Sequence, residues 1–245
     1  MKVDNYIKIL QKKWSEVPAG DVNRLNTSSI SNLSDNEVIK FWEDAKAKAT
    51  QGEYFKVRGW YHTLYKDSFI GKSLMDLGSG FGIDGITFAQ NGVNVTFVDI
   101  VKSNLDLIKR ICDILHINNV DFLHIEDLNS LKKTKTKFDV IWAQGSMINA
   151  PFDIMKEEVY EVLKHLKTGG RWIELAYPKE RWLKEGSMSF ESWGDKTDGG
   201  APWVEWYDLD KLLKRLSPSK FETVLTFNFY NDDFNWFDLK KISNT

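Results

Sequence analysis

The stretch Lys72–Gly85, KSLMDLGSGFGIDG, constrains this chain more than any other. A short apolar run at Leu74, Met75 and Leu77 predicts a strand, after which glycines alternate with other residues at Gly78, Gly80 and Gly82. Apolar positions Ile83, Ile86, Phe88 and Ala89 predict a helix directly behind them. A strand that feeds a helix through such a turn exposes backbone N–H groups at the positive helix end. Glycine suits the turn because side chains would obstruct a ligand and forbid the dihedrals needed there.

Two frames fit this loop. Gly80, Gly82 and Gly85 match the dinucleotide pattern GxGxxG, with an acid, Asp99, roughly 20 residues on. That frame would make the chain an NAD-dependent oxidoreductase. The second frame starts earlier, at Asp76-Leu-Gly78-Ser-Gly80-Phe-Gly82. Asp76 decides between them: a carboxylate two residues before the first glycine repels a pyrophosphate and attracts a cation. In this frame the chain resembles the class I S-adenosylmethionine (SAM) methyltransferases, whose motif I is an acid followed by GxGxG. The segment Leu166-Lys-Thr-Gly-Gly170 resembles the LKPGG turn of the same family, with Thr168 in place of proline.

The rest of the chain fills in around that loop. Val3–Trp14 has apolar residues at helical spacing, and Val17–Asp21 breaks it. Ser34 and Glu37 form a capping-box pattern ahead of Val38, Ile39, Phe41 and Trp42. A helix is expected over about Glu53–Lys66, carrying RGWYHTLY. Val93–Val98 alternates as a second strand ending at Asp99, Ser103–His116 reads as a helix, and Val120–Ile125 as a third strand. Phe138–Trp142 is a buried fourth strand, Glu157–Leu166 a helix, and Arg171–Ala176 the fifth strand. Tyr177–Trp206 is a long polar, tryptophan-rich excursion, of the length that compact domains use for lids. Asp208–Leu216 reads as a helix, and two strands, Phe221–Phe229 and Trp236–Lys240, follow around an Asn231-Asp-Asp turn.

The resemblance implies an α/β, Rossmann-like sheet of seven mostly parallel strands, order 3-2-1-4-5-7-6 with the last antiparallel, and helices on both faces. It implies an N-terminal helical lid over residues 1–71 and a SAM-binding domain over 72–245 with a substrate cap at 177–206. It places the cofactor on Asp76, Gly78, Ser79, Gly80, Gly82, Asp99, Ile100, Asp127, Leu128 and Gln144. Asp99 would accept from ribose hydroxyls. Asp127, or Glu126 one residue earlier, would meet the adenine amino group, and the Leu128 N–H a ring nitrogen. The product would be S-adenosylhomocysteine (SAH). The loop after the fourth strand, with Gln144, Ser146 and Asn149, faces the transfer zone and lacks the [ND]PP[YFW] tetrapeptide of many nucleic-acid N-methyltransferases.

For the acceptor, two routes stay open. A neutral alcohol needs a base, for which His62, beside Tyr61, is the candidate because histidine titrates near neutral pH. An acceptor that is already an anion needs cations instead, and Arg24, Arg58 and Arg181 are available, with Tyr65 and Tyr177 beside them. VPAGDVNRLNTS and RGWYHTLY resemble bacterial methyltransferases of capsule and surface-polysaccharide modification, which methylate sugar or phosphoramidate groups. The expected enzyme is therefore a small-molecule O-methyltransferase, less readily an N-methyltransferase. A catalytically silent SAM-fold subunit of a partner enzyme is the alternative.

Composition bounds the partners. A net charge of −2 and a pI near 6.1 give no basic face, so no nucleic-acid partner is expected. The basic run Lys132–Lys137 falls on an expected surface loop. One cysteine, Cys112, excludes an internal disulfide and a cysteine-rich metal site, and no metal is expected. No stretch approaches the roughly 20 apolar residues of a membrane span. The N-terminus lacks a signal peptide's apolar run, so a cytoplasmic monomer or homodimer without membrane contact is expected.

Overall fold

The computed structural model describes residues 3–15, 27–197 and 199–244. Among the described residues, seven strands form one sheet in the order β3-β2-β1-β4-β5-β7-β6. They are β1 (Ser73–Leu77), β2 (Asn94–Asp99), β3 (Val120–His124), β4 (Phe138–Gln144), β5 (Leu166–Ala176), β6 (Lys220–Phe229) and β7 (Phe234–Ser243). The pairs β1–β2, β2–β3 and β4–β5 are parallel, and β7 runs antiparallel to both β5 and β6. This is the Rossmann-like methyltransferase order. The chain divides into two compact units, Gln11–Ile125 and Met1–Leu10 with Glu126–Thr245.

In the unit Gln11–Ile125, β1 and β2 are largely buried on both faces, as parallel strands are when helices cover them. Helices α5 (Ile83–Gln90) and α6 (Lys102–Ile114) supply that cover with Ile86, Phe88, Ile108 and Ile111, all fully buried. The short helix α2 (Thr27–Ser31) is held by a hydrogen bond from Thr27 Oγ1 to Asn104 Oδ1 of 2.7 Å. Helix α3 (Asp35–Thr50) starts at the expected capping box, in which the Ser34 N–H donates to Glu37 Oε2 at 2.8 Å. The helix expected over Glu53–Lys66 is instead a 3₁₀ turn, Gly52–Lys56, followed by α4 (Gly59–Tyr65). Close approach causes the break: a Cβ on Gly59 would sit 2.0 Å from the Thr50 carbonyl oxygen. Cys112 is a buried core thiol whose pKa burial pushes up to about 12, the reverse of a nucleophile's.

In the other unit, β4, β5, β7 and β6 are accompanied by α7 (Leu128–Lys133), α8 (Phe152–Leu163) and α11 (Leu209–Leu216). The LKTGG segment belongs to β5, where a register shift between Phe138 and Val140 of β4 accommodates it, so α8 stops before it. A Cβ on Gly170 would meet the Asp139 carbonyl at 2.9 Å, which explains the glycine without invoking a helix stop. The 177–206 excursion contains two short helices, α9 (Lys179–Lys184) and α10 (Phe190–Thr197). The basic run begins inside α7 rather than on a loop. At the β6–β7 hairpin, Tyr230, Asn231 and Asp232 all have positive φ, the left-handed geometry that Asn and Asp tolerate best. Helix α1 (Val3–Trp14) buries Val3, Tyr6, Ile7 and Leu10, the stripe expected from its spacing.

Candidate functional site

Gly78, Gly80 and Gly82 lie between β1 and α5 with φ of 75°, 54° and 70°, a run of left-handed turns that a side chain would strain. Ser79 buttresses the turn: its Oγ donates to the Asp76 carbonyl at 2.7 Å and accepts from the Val98 N–H at 3.0 Å. Gly85 has a packing reason. A Cβ there would stand 2.3 Å from the Phe97 ring and 2.5 Å from Asp76 Oδ2. The spacing that mimicked a dinucleotide pattern therefore comes from α5 lying tight against β1 and β2.

Three carboxylates surround the turn, and all are buried: Asp76, Asp84 and Asp99. Asp99 closes β2 and accepts from the Gly80 N–H at 2.9 Å and the Val101 N–H at 2.7 Å. Burial raises its pKa and those N–H groups pull the other way. Asp76 has an oxygen, Oδ2, that is buried with no hydrogen-bond partner. Its pKa stands well above the usual carboxylate range, first through burial and then through the charges of Asp84 and Asp99, with Arg58 opposing. A buried acid beside two others, with one oxygen unmatched, is destabilised as a carboxylate and would be relieved by a cation.

Asp84, in the first turn of α5, is the residue that sequence reasoning missed. It receives three groups from the RGWYHTLY segment: His62 Nε2 at 2.7 Å, Tyr61 Oη at 3.4 Å and Arg58 Nη1 at 3.8 Å. The available signal was an acid inside an otherwise apolar helix start, GIDGITFA. Burial first, and then Asp84 and Asp76, raise the Tyr61 pKa well above its usual value, against the pull of Arg58. His62 is buried beside Phe88 and Tyr61, with ring centroids 5.8 and 5.1 Å away. Tyr65 is buried and stacks on Phe69 at 5.3 Å. The structure thus brings Arg58, Tyr61 and His62 together on one carboxylate, while Tyr65 belongs to the aromatic packing behind them. Ile100 is half-buried and its carbonyl oxygen meets His124 Nε2 at 3.1 Å. Arg24 lies outside the described residues.

In the other unit, Asp127 is the N-cap of α7, accepting from the Ser130 N–H at 3.0 Å, while Glu126 is exposed. The Leu128 N–H donates to Asp4 Oδ1 of α1 at 3.2 Å. At the end of β4, neither amide atom of Gln144 has a hydrogen-bond partner. The loop behind it is fastened to the excursion, with the Glu205 N–H donating to the Ile148 carbonyl at 2.9 Å and Asn149 Nδ2 to the Trp203 carbonyl at 3.2 Å. Ser146 is half-buried in that loop. Arg181 stacks over Tyr177 at 4.2 Å and donates to Glu185 Oε1 at 2.9 Å and the Asp233 carbonyl at 3.2 Å. Lys211 pairs with Glu205 at 2.6 Å and lies 4.0 Å over the Trp206 ring. Among the described residues no cluster of three or more His, Cys, Asp or Glu could hold a metal ion, and no helix is long and apolar enough to cross a membrane.

Residues 74–170, which include the glycine turn and Gln144, match the methyltransferase domain family. The chain carries a methyltransferase domain. Its strand order is that of the class I fold, and S-adenosylmethionine is the cofactor such a domain uses. Solved structures agree on the fold. A SAM-dependent methyltransferase from Clostridium acetobutylicum superposes with a TM-score of 0.59 at 14% identity, covering 82% of this chain and 97% of that one. Magnesium protoporphyrin IX methyltransferase from Synechocystis, determined with bound SAH, gives 0.55 at 15% identity and covers 97% of each chain.

Two curated relatives bear on the partner of the methyltransferase domain. Ribosomal RNA small subunit methyltransferase G of Lactobacillus acidophilus is 27% identical over 177 residues, 70% of this chain and 66% of that protein. The enzyme of the same name from Lactobacillus helveticus is 29% identical over 138 residues, 54% of each. The chain thus spans between about half and just under two thirds of the length of these relatives. They overturn the expectation that nucleic acid is not a partner. Net charge averages over a whole surface, so a value of −2 does not exclude a local contact with nucleic acid. The narrower resemblance to capsule-modifying enzymes finds no support in these relatives.

Proposed function

We propose that the protein transfers a methyl group from SAM to a heteroatom of its acceptor. The observation that carries this is the unmatched, buried Asp76 oxygen beside a three-glycine turn in a methyltransferase domain. Asp76 fits the cationic amino-acid end of the cofactor, and the Gly78–Gly82 turn leaves backbone room for it. Asp99, already oriented by two N–H groups, fits the ribose hydroxyls. Bound SAM would supply an electrophilic methyl on a sulfonium. The protein's task is then to align the acceptor atom, for which orientation supplies on the order of 7–11 kcal/mol. His62 as base requires its bond to Asp84 to leave one ring nitrogen for the acceptor, and Asp84 would fix which nitrogen that is.

The acceptor reading we favour is a nucleotide of small-subunit ribosomal RNA, on the strength of the two curated relatives. The 177–206 excursion offers half-buried Trp182, Phe190, Trp203 and Trp206, rings of the kind on which unstacked bases lie. A second reading, an oxygen of a small polar molecule such as a sugar, is favoured by the pairing of Arg58, Arg181 and Lys211 with carboxylates. The same pairing disfavours an anionic small molecule.

Purified protein with tritiated SAM should label either isolated small ribosomal subunits or a low-molecular-weight extract, and the labelled fraction names the acceptor class. Saturable SAH binding by calorimetry is expected in both cases. Binding of NAD without SAH would return the chain to the oxidoreductase frame. SAH binding with no transfer by the chain alone would favour a silent subunit.

A further inference from the structure

Arg215 and Glu174 form an ion pair with no exposure to solvent at either side chain. Glu174, on β5, also accepts from Trp172 Nε1 at 2.8 Å, yet its second oxygen, Oε1, has no partner. The guanidinium lies 4.2 Å over the Tyr207 ring. Its other terminal nitrogen, Nη1, donates to the Met147 carbonyl oxygen at 2.7 Å. That carbonyl sits in the loop Gly145–Ala150, directly behind Gln144.

A buried pair of this kind is weak as a source of stability. Desolvation offsets much of the attraction, and well-packed apolar replacements are commonly neutral or stabilising. An unmatched carboxylate oxygen makes this pair less favourable still. What the pair does distinctively is aim one donor at one backbone carbonyl. Together with the bonds from Glu205 N–H to Ile148 and from Asn149 to Trp203, it fastens three consecutive residues of the loop, Met147, Ile148 and Asn149. Glu174 holds Arg215 in place, and Arg215 holds the loop.

We infer that Arg215 is a positioning residue for methyl transfer, acting through the Met147 carbonyl on the loop that presents Gln144 and Ser146 to the acceptor. The inference rests on the proposed methyltransferase reading for its consequence, though the hold on the loop stands apart from it. Arg215→Met alone would leave Glu174 buried without its cation, so the informative variant is the pair Arg215→Met with Glu174→Gln, whose amide oxygen can still accept from Trp172 Nε1, beside Arg215→Lys.

The test is hydrogen exchange over residues 144–150, with melting temperature, SAH calorimetry and tritium transfer on the same proteins. In the double variant the loop should exchange at least tenfold faster while the melting temperature holds or rises. SAH affinity should stay within about twofold, and kcat should fall at least tenfold. Arg215→Lys should recover part of the loop protection. Unchanged exchange in the double variant overturns the proposal. So does a lowered melting temperature with faster exchange throughout the unit, which would make the pair a plain structural element. If wild-type protein binds no SAH, the methyltransferase reading falls, and the exchange result still decides whether Arg215 holds the loop.

Discussion

His62 Nε2 and Asp84 Oδ1 lie 2.7 Å apart in a buried hydrogen bond that joins α4 to the first turn of α5. The glycine turn ends where α5 begins, so the conformation of α4 and the placement of the turn are linked through one carboxylate. Asp84 also faces Asp76, whose pKa it raises.

His62→Ala should destabilise the protein, because it removes a 2.7 Å hydrogen bond to a buried acid. Leaving such an acceptor underserved costs roughly 1–3 kcal/mol. Urea unfolding should show a midpoint shift of that size with an unchanged m-value. If His62 is also the base, transfer will fall by more than stability explains. A variant as stable as wild type would mean that the Asp84 bond contributes little.

Gly85→Ala should disturb both stability and cofactor affinity. The added methyl would fall 2.3 Å from Phe97 and 2.5 Å from Asp76 Oδ2, so either α5 shifts or the carboxylate moves. Overpacking of this kind costs typically about 1–3 kcal/mol. Calorimetry with SAH should register weaker binding, whereas Gly71→Ala, whose Cβ would meet nothing within 4 Å, should leave binding alone despite its own backbone strain.

SAM binding should release protons through Asp76. Its folded pKa is raised by burial and by neighbouring acids, so the free protein holds a proton there over a pH range in which an unfolded chain would not. A cation brought alongside stabilises the carboxylate and lowers that pKa. The binding enthalpy of wild type should therefore depend on the ionisation enthalpy of the buffer, and that of Asp76→Asn should not. The same raised pKa contributes stability to the free protein at low pH that is lost as pH rises through the folded value.

Glu158, on α8, predicts a second pH effect. Burial raises its pKa to about 7 against the pull of Arg215. An unfolded glutamate titrates near 4.3. The folded state therefore retains a proton between these values, and stability declines across that window as pH rises. Glu158→Gln should match wild type at pH 4 and melt at a higher temperature at pH 8. Equal melting temperatures at both would place Glu158 in a more hydrated setting.

What was legible in the sequence was local or periodic. The strand–turn–helix at Leu74–Ile86 could be read because glycine spacing and apolar period change at the same place. Ser34 and Glu37 declared a helix start through a reciprocal bond three residues long. Less legible were features set by approach between distant residues. The break at Gly59 answers to the Thr50 carbonyl, and the extension of β5 through Gly170 answers to Asp139 on the neighbouring strand. Arg58 and Arg181 look like free cations in the sequence, and the fold pairs them with Asp84 and Glu185.

By itself the sequence determined the glycine turn, the acid ahead of it and the alternation of strands and helices, because dihedral limits and burial periods act over a few residues. The resemblance these features carry to the class I methyltransferases implied the strand order and the cofactor. Only the tertiary structure decided which charges remain available. Ionic interactions act through space, and Asp84 gathers its partners from 22 to 26 residues upstream, while Arg215 finds Glu174 from 41 residues away. Which carboxylate is left unmatched, and which loop an arginine holds, follows from that folding together.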